Sequence, residues 1–453
     1  MKLPFGRSIS SFFLASSMLF LPACSEGHST QAVDAVELAF PGAMGWAADT
    51  VGGRGGEILK VTNLNSDGPG SLRAALSAEG PRIVVFEVGG VIDLEGDNIR
   101  INQPNLTIAG QTAPSPGITI IKGGLIISTN DVIVRHLRIR PGDLGEAPRS
   151  GRDIDAITTS SAYNVIVDHN SLTWATDENL SASGPRFTGE TPDEWRDGAS
   201  HRISFTNNII AEGLANSTHA KGEHSKGSLI HDNTSDILIA RNLYAHNYER
   251  SPLFKGGVRG AIVNNFIFNP GQRAIHYNLQ ALEWGDAEYQ TGEMDVVGNV
   301  LRGGHDTMPG LPLVMIGGNG SAKLYAAKNI AVDLYGNPLP KLGRYTTDSS
   351  GLIEVASPNG GIPHLEGLEP EEVERHVLSH AGARPWDRDG HDVRVLADAA
   401  EGRGKIIDSQ EEVGGYPEVE MTRKPFDPAL WDLNTMEPLD PATLDDGESA
   451  RGT

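Results

Sequence analysis

Cysteine is almost absent from this chain. Cys24 is the only one in 453 residues, so no intrachain disulfide can hold the fold. The apolar run from Ile9 to Leu21 falls short of the about 20 residues a membrane span takes. Cations are scarce: 37 Lys and Arg stand against 59 Asp and Glu, a formal charge of −22. That balance excludes non-specific nucleic-acid binding. It also repels a polyanion, except where cations gather locally. No recognisable constellation of histidine or thiolate ligands suggests zinc or copper. Helical spacing is missing from the segments that fill the middle of the chain.

The N-terminus reads as an export signal. Lys2 and Arg7 form a basic start, and the run from Ile9 to Leu21 fits a signal-peptide core. It ends in Leu21-Pro22-Ala23-Cys24, which resembles a bacterial lipobox apart from Pro22. Residues 1–23 are therefore expected to be removed. Cys24 would then carry a lipid and anchor the protein to a bacterial membrane outside the cytoplasm; the alternative is an ordinary cleaved signal. Cleavage leaves 35 Lys and Arg against 59 acids, a formal −24. Residues 24–38 read as a linker.

Six segments share an asparagine among β-branched and apolar residues. They are NVIVDHNSLTW, RISFTNNIIAE, DILIARNLYAH, GAIVNNFIFNP, MDVVGNVLRGG and KLYAAKNIAVD. Their aligned asparagines are Asn170, Asn208, Asn242, Asn265, Asn299 and Asn329. The gaps between them are unequal, longest from Asn170 to Asn208 and shortest from Asn242 to Asn265. NLTIAGQ, LIISTND and VIVRHLRIRPG look like further rungs upstream. Such uneven spacing does not suit a propeller, whose blades are near-equal. It suits an all-β parallel β-helix, where loops of any length leave the corners of stacked coils. Coils about 4.8 Å apart would let the asparagines form a side-chain amide ladder. The expected domain runs over 39–383, with 384–453 as an extension packed along it and partly disordered at its end. Short helices are expected to cover the exposed ends. One lies within 68–80, N-capped by Ser71, with Leu72, Ala75 and Leu76 inward and Gly80 as the stop. The other lies within 369–382, from Pro370 to Gly382, with Val373, Val377 and Ala381 on one face.

Against the acidic background, ERSPLFKGG at 249–257 puts Arg250 and Lys255 on either side of Pro252. With its neighbours this stretch resembles the pectate lyase family of polysaccharide lyases. The run from Ala39 to Leu76 looks like the start of its bacterial members. VIVRHLRIRPG, DAITTSSAYNVIVDHNSLTW and ERSPLFKGGVRGAIVNNFIFN follow in the family's order. Residues 384–417 are similar to the end of the same subgroup. The resemblance implies a right-handed parallel β-helix. It also implies that Arg250 is the Brønsted base, within an Arg-x-Pro-x-x-basic-Gly motif that ends here in Lys255 and Gly256. A lysine there offers a point charge in place of a bidentate fork. Lys226, in HSKGSLI, matches the lysine that contacts the substrate carboxylate. It precedes Arg250 by one short circuit, a spacing that would stack the two on the same face. Lys221 and His219, and with them His224, are further candidates to line the cleft.

Asp155 and Asp177 match the family's calcium ligands. Asp153 is expected on the same face as Asp155, because alternate residues of a strand share a face. Many members carry another carboxylate four positions after the second ligand, where this chain has Ser181. Glu178 or Asp153 is expected to compensate. Hard oxygen donors suit Ca²⁺. Asp168 and His169 read as hydrogen-bonding residues within a coil and not as ligands.

The chemistry implied is β-elimination on polygalacturonate. Ca²⁺ and the lysines would stabilise charge on the uronate carboxylate while the base removes the C5 proton. Arginine ordinarily stays protonated; like charges from Lys226, Lys255 and the metal would disfavour its charged form, with an alkaline optimum. The expected partner is an anionic polysaccharide, and the expected state a monomer. Three alternatives remain at this point. One is a lyase on methylated pectin or another uronate polymer. The second is a β-helix polygalacturonase, whose NTD- and DD-type motifs are not found. The third is a non-catalytic glycan-binding surface lipoprotein, which would have no need of Arg250.

Overall fold

The computed structural model describes Met1 and residues 37–346 and 351–444. The signal sequence, the lipobox with Cys24, and residues 445–453 lie outside them. Three long sheets carry the fold, with 11, 9 and 10 strands. Apart from the short segment Thr422–Arg423, every strand in them pairs in parallel with the strand one coil away. The first sheet runs from Glu57–Val61 to Gly351–Glu354, the second from Ile99–Ile101 to Leu342–Arg344, and the third from Val88–Asp93 to Ile330–Val332. This is a right-handed parallel β-helix: the uneven repeat predicts the parallel β-helix, and the family resemblance implies its hand.

The register repeats the sequence spacing. In the first sheet Val167 pairs with Phe205, Phe205 with Ile239, Ile239 with Ile262 and Ile262 with Val296. All five side chains are fully buried in the central core. At the next corner the asparagines form the expected ladder. The Nδ2 of Asn170, Asn208, Asn242, Asn265 and Asn299 each donates to the Oδ1 of the following asparagine, at 2.9–3.3 Å. The residue before each ladder asparagine has a positive φ, from His169 at 52° to Gly298 at 64°. The corner is thus a left-handed kink that aims the amide inward.

Asn242 makes four of these hydrogen bonds, including Nδ2 to the Phe205 carbonyl at 2.9 Å and the Asn208 N–H to its Oδ1 at 2.8 Å. Asn242→Ala should lower stability by about 3 kcal/mol, because it strands buried donors and acceptors on both adjacent coils. A fall in the urea midpoint at unchanged m value would register it. An unchanged midpoint would mean that backbone pairing alone sets the stack.

The five α-helices among the described residues are α1 (Leu72–Ser77), α2 (Pro192–Gly198), α3 (Ala281–Trp284), α4 (Pro370–His380) and α5 (Gly390–Glu401). Ser71 caps α1, and Leu72, Ala75 and Leu76 are buried against the first coil, as expected. The helix stops at Ala78, in extended conformation, before Gly80 is reached. The helix expected near the far end, α4, lies instead on the flank of the third sheet. Its Val373 and Val377 join Val395 and Leu396 of α5 on the outward residues Ile209, Leu243, Phe266 and Val300. Hydrophobic side chains on that outer face require a cover, and α5, not foreseen from the sequence, supplies half of it. The outer face of the first sheet is covered by the segment from Ala39 to Ala48.

The tail beyond 416 wraps the outside. Thr422–Arg423 pairs antiparallel with Val88–Gly89, and Phe426, Trp431 and Met436 pack on Ile83, Val85 and Ala109. No comparable cover lies over the second sheet among the described residues.

Candidate functional site

The second sheet faces a groove of about 490 Å³. Its polar wall comes from one recurring position, the turn just before each strand. Asp155 precedes Ile157–Ser160, Glu178 precedes Leu180–Ser183 and Lys226 precedes Leu229–Ile230. Arg250 precedes Leu253–Lys255, and Arg273 precedes Ile275–Leu279. Stacking of coils therefore brings residues far apart in sequence onto one wall, with Arg250 and Arg273 one position out of step with Asp155, Glu178 and Lys226.

Three carboxylates meet at the upstream end. Asp155, Asp177 and Glu178 each bring an oxygen within 4.8 Å of the others. The Glu178 N–H donates to Asp155 Oδ1 at 3.0 Å. Burial and the adjacent Asp177 push the Asp155 carboxyl well above its ordinary range. Burial also opposes ionisation of Asp177, but the hydrogen bond and charge of His224 bring its pKa down. An all-oxygen set holding this much negative charge fits a hard cation such as Ca²⁺. Glu178 stands in the group with Asp155 and Asp177. Asp153 does not: the strand begins only at Ile157, and Asp153 stands exposed in the preceding loop. Ser181 is buried, and its Oγ has no partner among the described residues.

His219 and His224 were not recognisable as a constellation in sequence, yet both converge on Asp177. His224 Nε2 is 2.6 Å from Asp177 Oδ1 and His219 Nε2 is 3.8 Å from it. Two features argue for hydrogen bonding over metal ligation. The rings stack with centroids 3.7 Å apart and 11° between planes, so their in-plane lone pairs run parallel and do not converge. His219 Nδ1 accepts the Lys221 N–H at 3.1 Å, which leaves the neutral ring's proton on Nε2, facing the carboxylate. His219 is therefore buried beneath Asp177, while Lys221 is exposed on the groove wall.

Arg250 sits midway along this wall with φ at 64°. Its Nη1 donates to Glu178 Oε1, and its buried Nε has no hydrogen-bond partner among the described residues, with Glu249 Oε1 4.0 Å away. Burial lowers its pKa; Asp177 and Asp155 oppose that, and Arg273 adds to it. The neighbouring cation is thus Arg273, in place of the expected Lys226 and Lys255. Those two lysines are already engaged. Lys226 is 4% exposed and its Nζ is bound to Glu249. It also fails to stack on Arg250. Its partner one coil on is Glu249, the residue just before. Arg250 instead follows Gly227, whose carbon would sit 2.4 Å from the Arg250 carbonyl if it bore a side chain. Lys255 is bound to Glu283 and lies 3.4 Å from Asp232.

Sequence reasoning missed Arg273, Glu249, His276 and Tyr345, all of which line the groove. Glu249 binds both Lys226 and Arg273. Burial opposes its ionisation, but Lys226, His276 and Arg273 bring it down to about 2. A step of one coil from Arg250 reaches Arg273, so the same arithmetic that aligned the asparagines carried the missing signal. Asp168 is buried and accepts from Arg135, Thr206, Asn207 and His169. It is a coil-internal hub, as read from sequence.

No family model matches the sequence. Among curated proteins, "Probable pectate lyase C" of Aspergillus flavus is 33% identical over 412 residues, covering 88% of this chain and 85% of that one. The chain belongs to the pectate lyase family. The protein of the same name from Aspergillus terreus is 34% identical over 416 residues, again covering 88% and 85%. "Pectate lyase 5" of Ambrosia artemisiifolia is 26% identical over 242 residues and 55% of its length. Pectate lyase relatives of this chain are therefore fungal and plant as well as the bacterial ones its motifs suggest. Among solved structures, "Pectate lyase bound to hexasaccharide" aligns with a TM-score of 0.47 at 15% identity, covering 78% of this chain and 99% of that one. For jun a 1, the cedar pollen allergen, the TM-score is 0.45 at 18% identity, with 75% and 92% covered.

Proposed function

We propose that the protein is a calcium-dependent pectate lyase that cleaves α-1,4-linked polygalacturonate by β-elimination and leaves 4,5-unsaturated oligogalacturonides. Membership of the family supports a polysaccharide lyase. One observation carries the finer reading: a half-buried arginine, with a lowered pKa and no hydrogen bond at Nε among the described residues, lies against three clustered carboxylates in the groove.

Asp155, Asp177 and Glu178 are the residues that would hold calcium. When bound, the ion neutralises the uronate carboxylate and stabilises the charge that grows as C5 is deprotonated. Freed from Glu178, Arg250 in its neutral form takes the C5 proton. The electron pair forms the C4–C5 double bond, the C4–O bond breaks, and the departing oxygen takes a proton from solvent water to leave as an alcohol. Arg273, one coil on, holds positive charge on the same wall. His219 and His224 orient Asp177. Lys221, exposed at the rim, meets the polymer from outside.

Hydrolysis would leave no conjugated double bond, and a glycan-binding protein would leave the polymer intact. Ultraviolet absorbance on polygalacturonate should therefore rise with enzyme and calcium and stay flat with chelator. Undiminished cleavage after exhaustive chelation would remove the metal from the reading. Reducing ends that appear without absorbance would replace elimination by hydrolysis.

A further inference from the structure

Arg250, Lys226, Arg273 and Lys255 are each matched by a carboxylate, but one of these carboxylates differs from the rest. Glu178 and Glu249 are buried, with side chains 5% and 8% exposed. Glu283, on the single turn of α3, is 35% exposed and reaches Lys255 from the solvent side. Lys255 has a counter-ion without it: Asp232, whose side chain is fully buried, lies 3.4 Å away. Arg186 completes the group, 3.0 Å from Asp232 and 2.9 Å from Glu283. With Glu283 present, two cations face two carboxylates. Without it the same end of the groove carries a net positive charge, which suits a free carboxylate. Glu283 thus occupies the place that a substrate carboxylate would take on Lys255.

We propose that Glu283 is a specificity determinant: it withholds Lys255 from a free uronate carboxylate and so favours an esterified, uncharged galacturonosyl residue at that end of the groove. The proposal rests on the lyase reading above. Its physical basis is discrimination by repulsion. A carboxylate brought to Lys255 must displace or oppose Glu283, whereas a methyl ester meets no like charge.

The test compares kcat/KM on polygalacturonate with that on partly methyl-esterified pectin at fixed ionic strength. Glu283→Gln keeps the shape and removes the charge. It should raise kcat/KM on polygalacturonate by about fivefold to tenfold and leave the esterified polymer nearly unchanged. Glu283→Ala should move the ratio in the same direction. Glu288→Gln makes the same charge change at an exposed position outside the groove and should leave the ratio alone. An unmoved ratio, an equal gain on both polymers, or the same shift from Glu288→Gln would each overturn the proposal. A wild type that makes unsaturated ends from neither polymer would overturn the lyase reading and this inference together. A wild type that cleaves, with Glu283→Gln leaving the ratio unmoved, would overturn the inference alone.

Discussion

Arg250→Lys should lower turnover on polygalacturonate by about a hundredfold while the variant still binds the polymer. Lysine keeps the charge but moves the reacting nitrogen and loses the planar fork, and a displacement of about 1 Å can cost on the order of a hundredfold in rate. If Arg250 served only to attract the polymer, the loss would fall on KM, with turnover kept. Steady-state kinetics and a pulldown on polygalacturonate separate the two. An Arg250→Lys enzyme with most of its turnover would remove Arg250 as the base. The pH profile has a direction as well. Burial lowers the Arg250 pKa; Asp177 and Asp155 oppose, and the net shift is downward. A lowered pKa increases the neutral fraction of a base at any given pH, and that fraction grows as pH rises. Turnover should therefore climb toward alkaline pH.

Replacing Asp177 with Asn should raise the calcium needed for half-maximal activity by about tenfold to a hundredfold, with the fold intact. Asp177 contributes charge to the three-carboxylate group, and it receives the two histidines. The substitution removes the charge and one of the two carboxylate oxygens, and leaves a single amide oxygen to serve both the histidines and the metal. Glu178→Gln should act in the same direction, whereas Asp153→Asn, exposed and outside the group, should change little. Direct calcium titration of the purified variants provides a readout independent of turnover. Equal calcium affinity in wild type and Asp177→Asn would take the metal away from this cluster.

The architecture was largely legible because its signal is local. β-Branched runs, an asparagine at a fixed place, and loops of uneven length define coils without any long-range information. The N-cap of Ser71 and the apolar face of α4 are local too. What stayed hidden depends on which residue stands above which. Lys226 and Arg250 look stackable from their spacing, but the coil closes one position sooner, and that single position sets Lys226 against Glu249. The partners of Lys255 are Asp232, from the coil before it, and Glu283, from the helix that follows the coil after it. His219 and His224 reach Asp177 only because their loop folds back over an earlier coil. α5 escaped notice because its apolar residues Val395, Leu396 and Ala399 answer a sheet surface that is itself visible only once coils are stacked.

The returning C-terminal chain changes how such a molecule can come apart. A bare solenoid is nearly one-dimensional: each coil touches its neighbours, and the end coils can fray singly. Here α4 rests on Phe266 and Val300, Arg138 and Arg140 bind Asp389 and Asp392 near the start of α5, Tyr416 donates to the Pro141 carbonyl, and Thr422–Arg423 pairs with the strand at Val88–Asp93. The strap runs against the direction in which the coils were laid down, so chain synthesised after the coils fastens the first of them. Loss of an end coil then also means release of the strap, which couples the two ends of the stack. The molecule should melt as one cooperative body and resist proteolysis until the strap lets go.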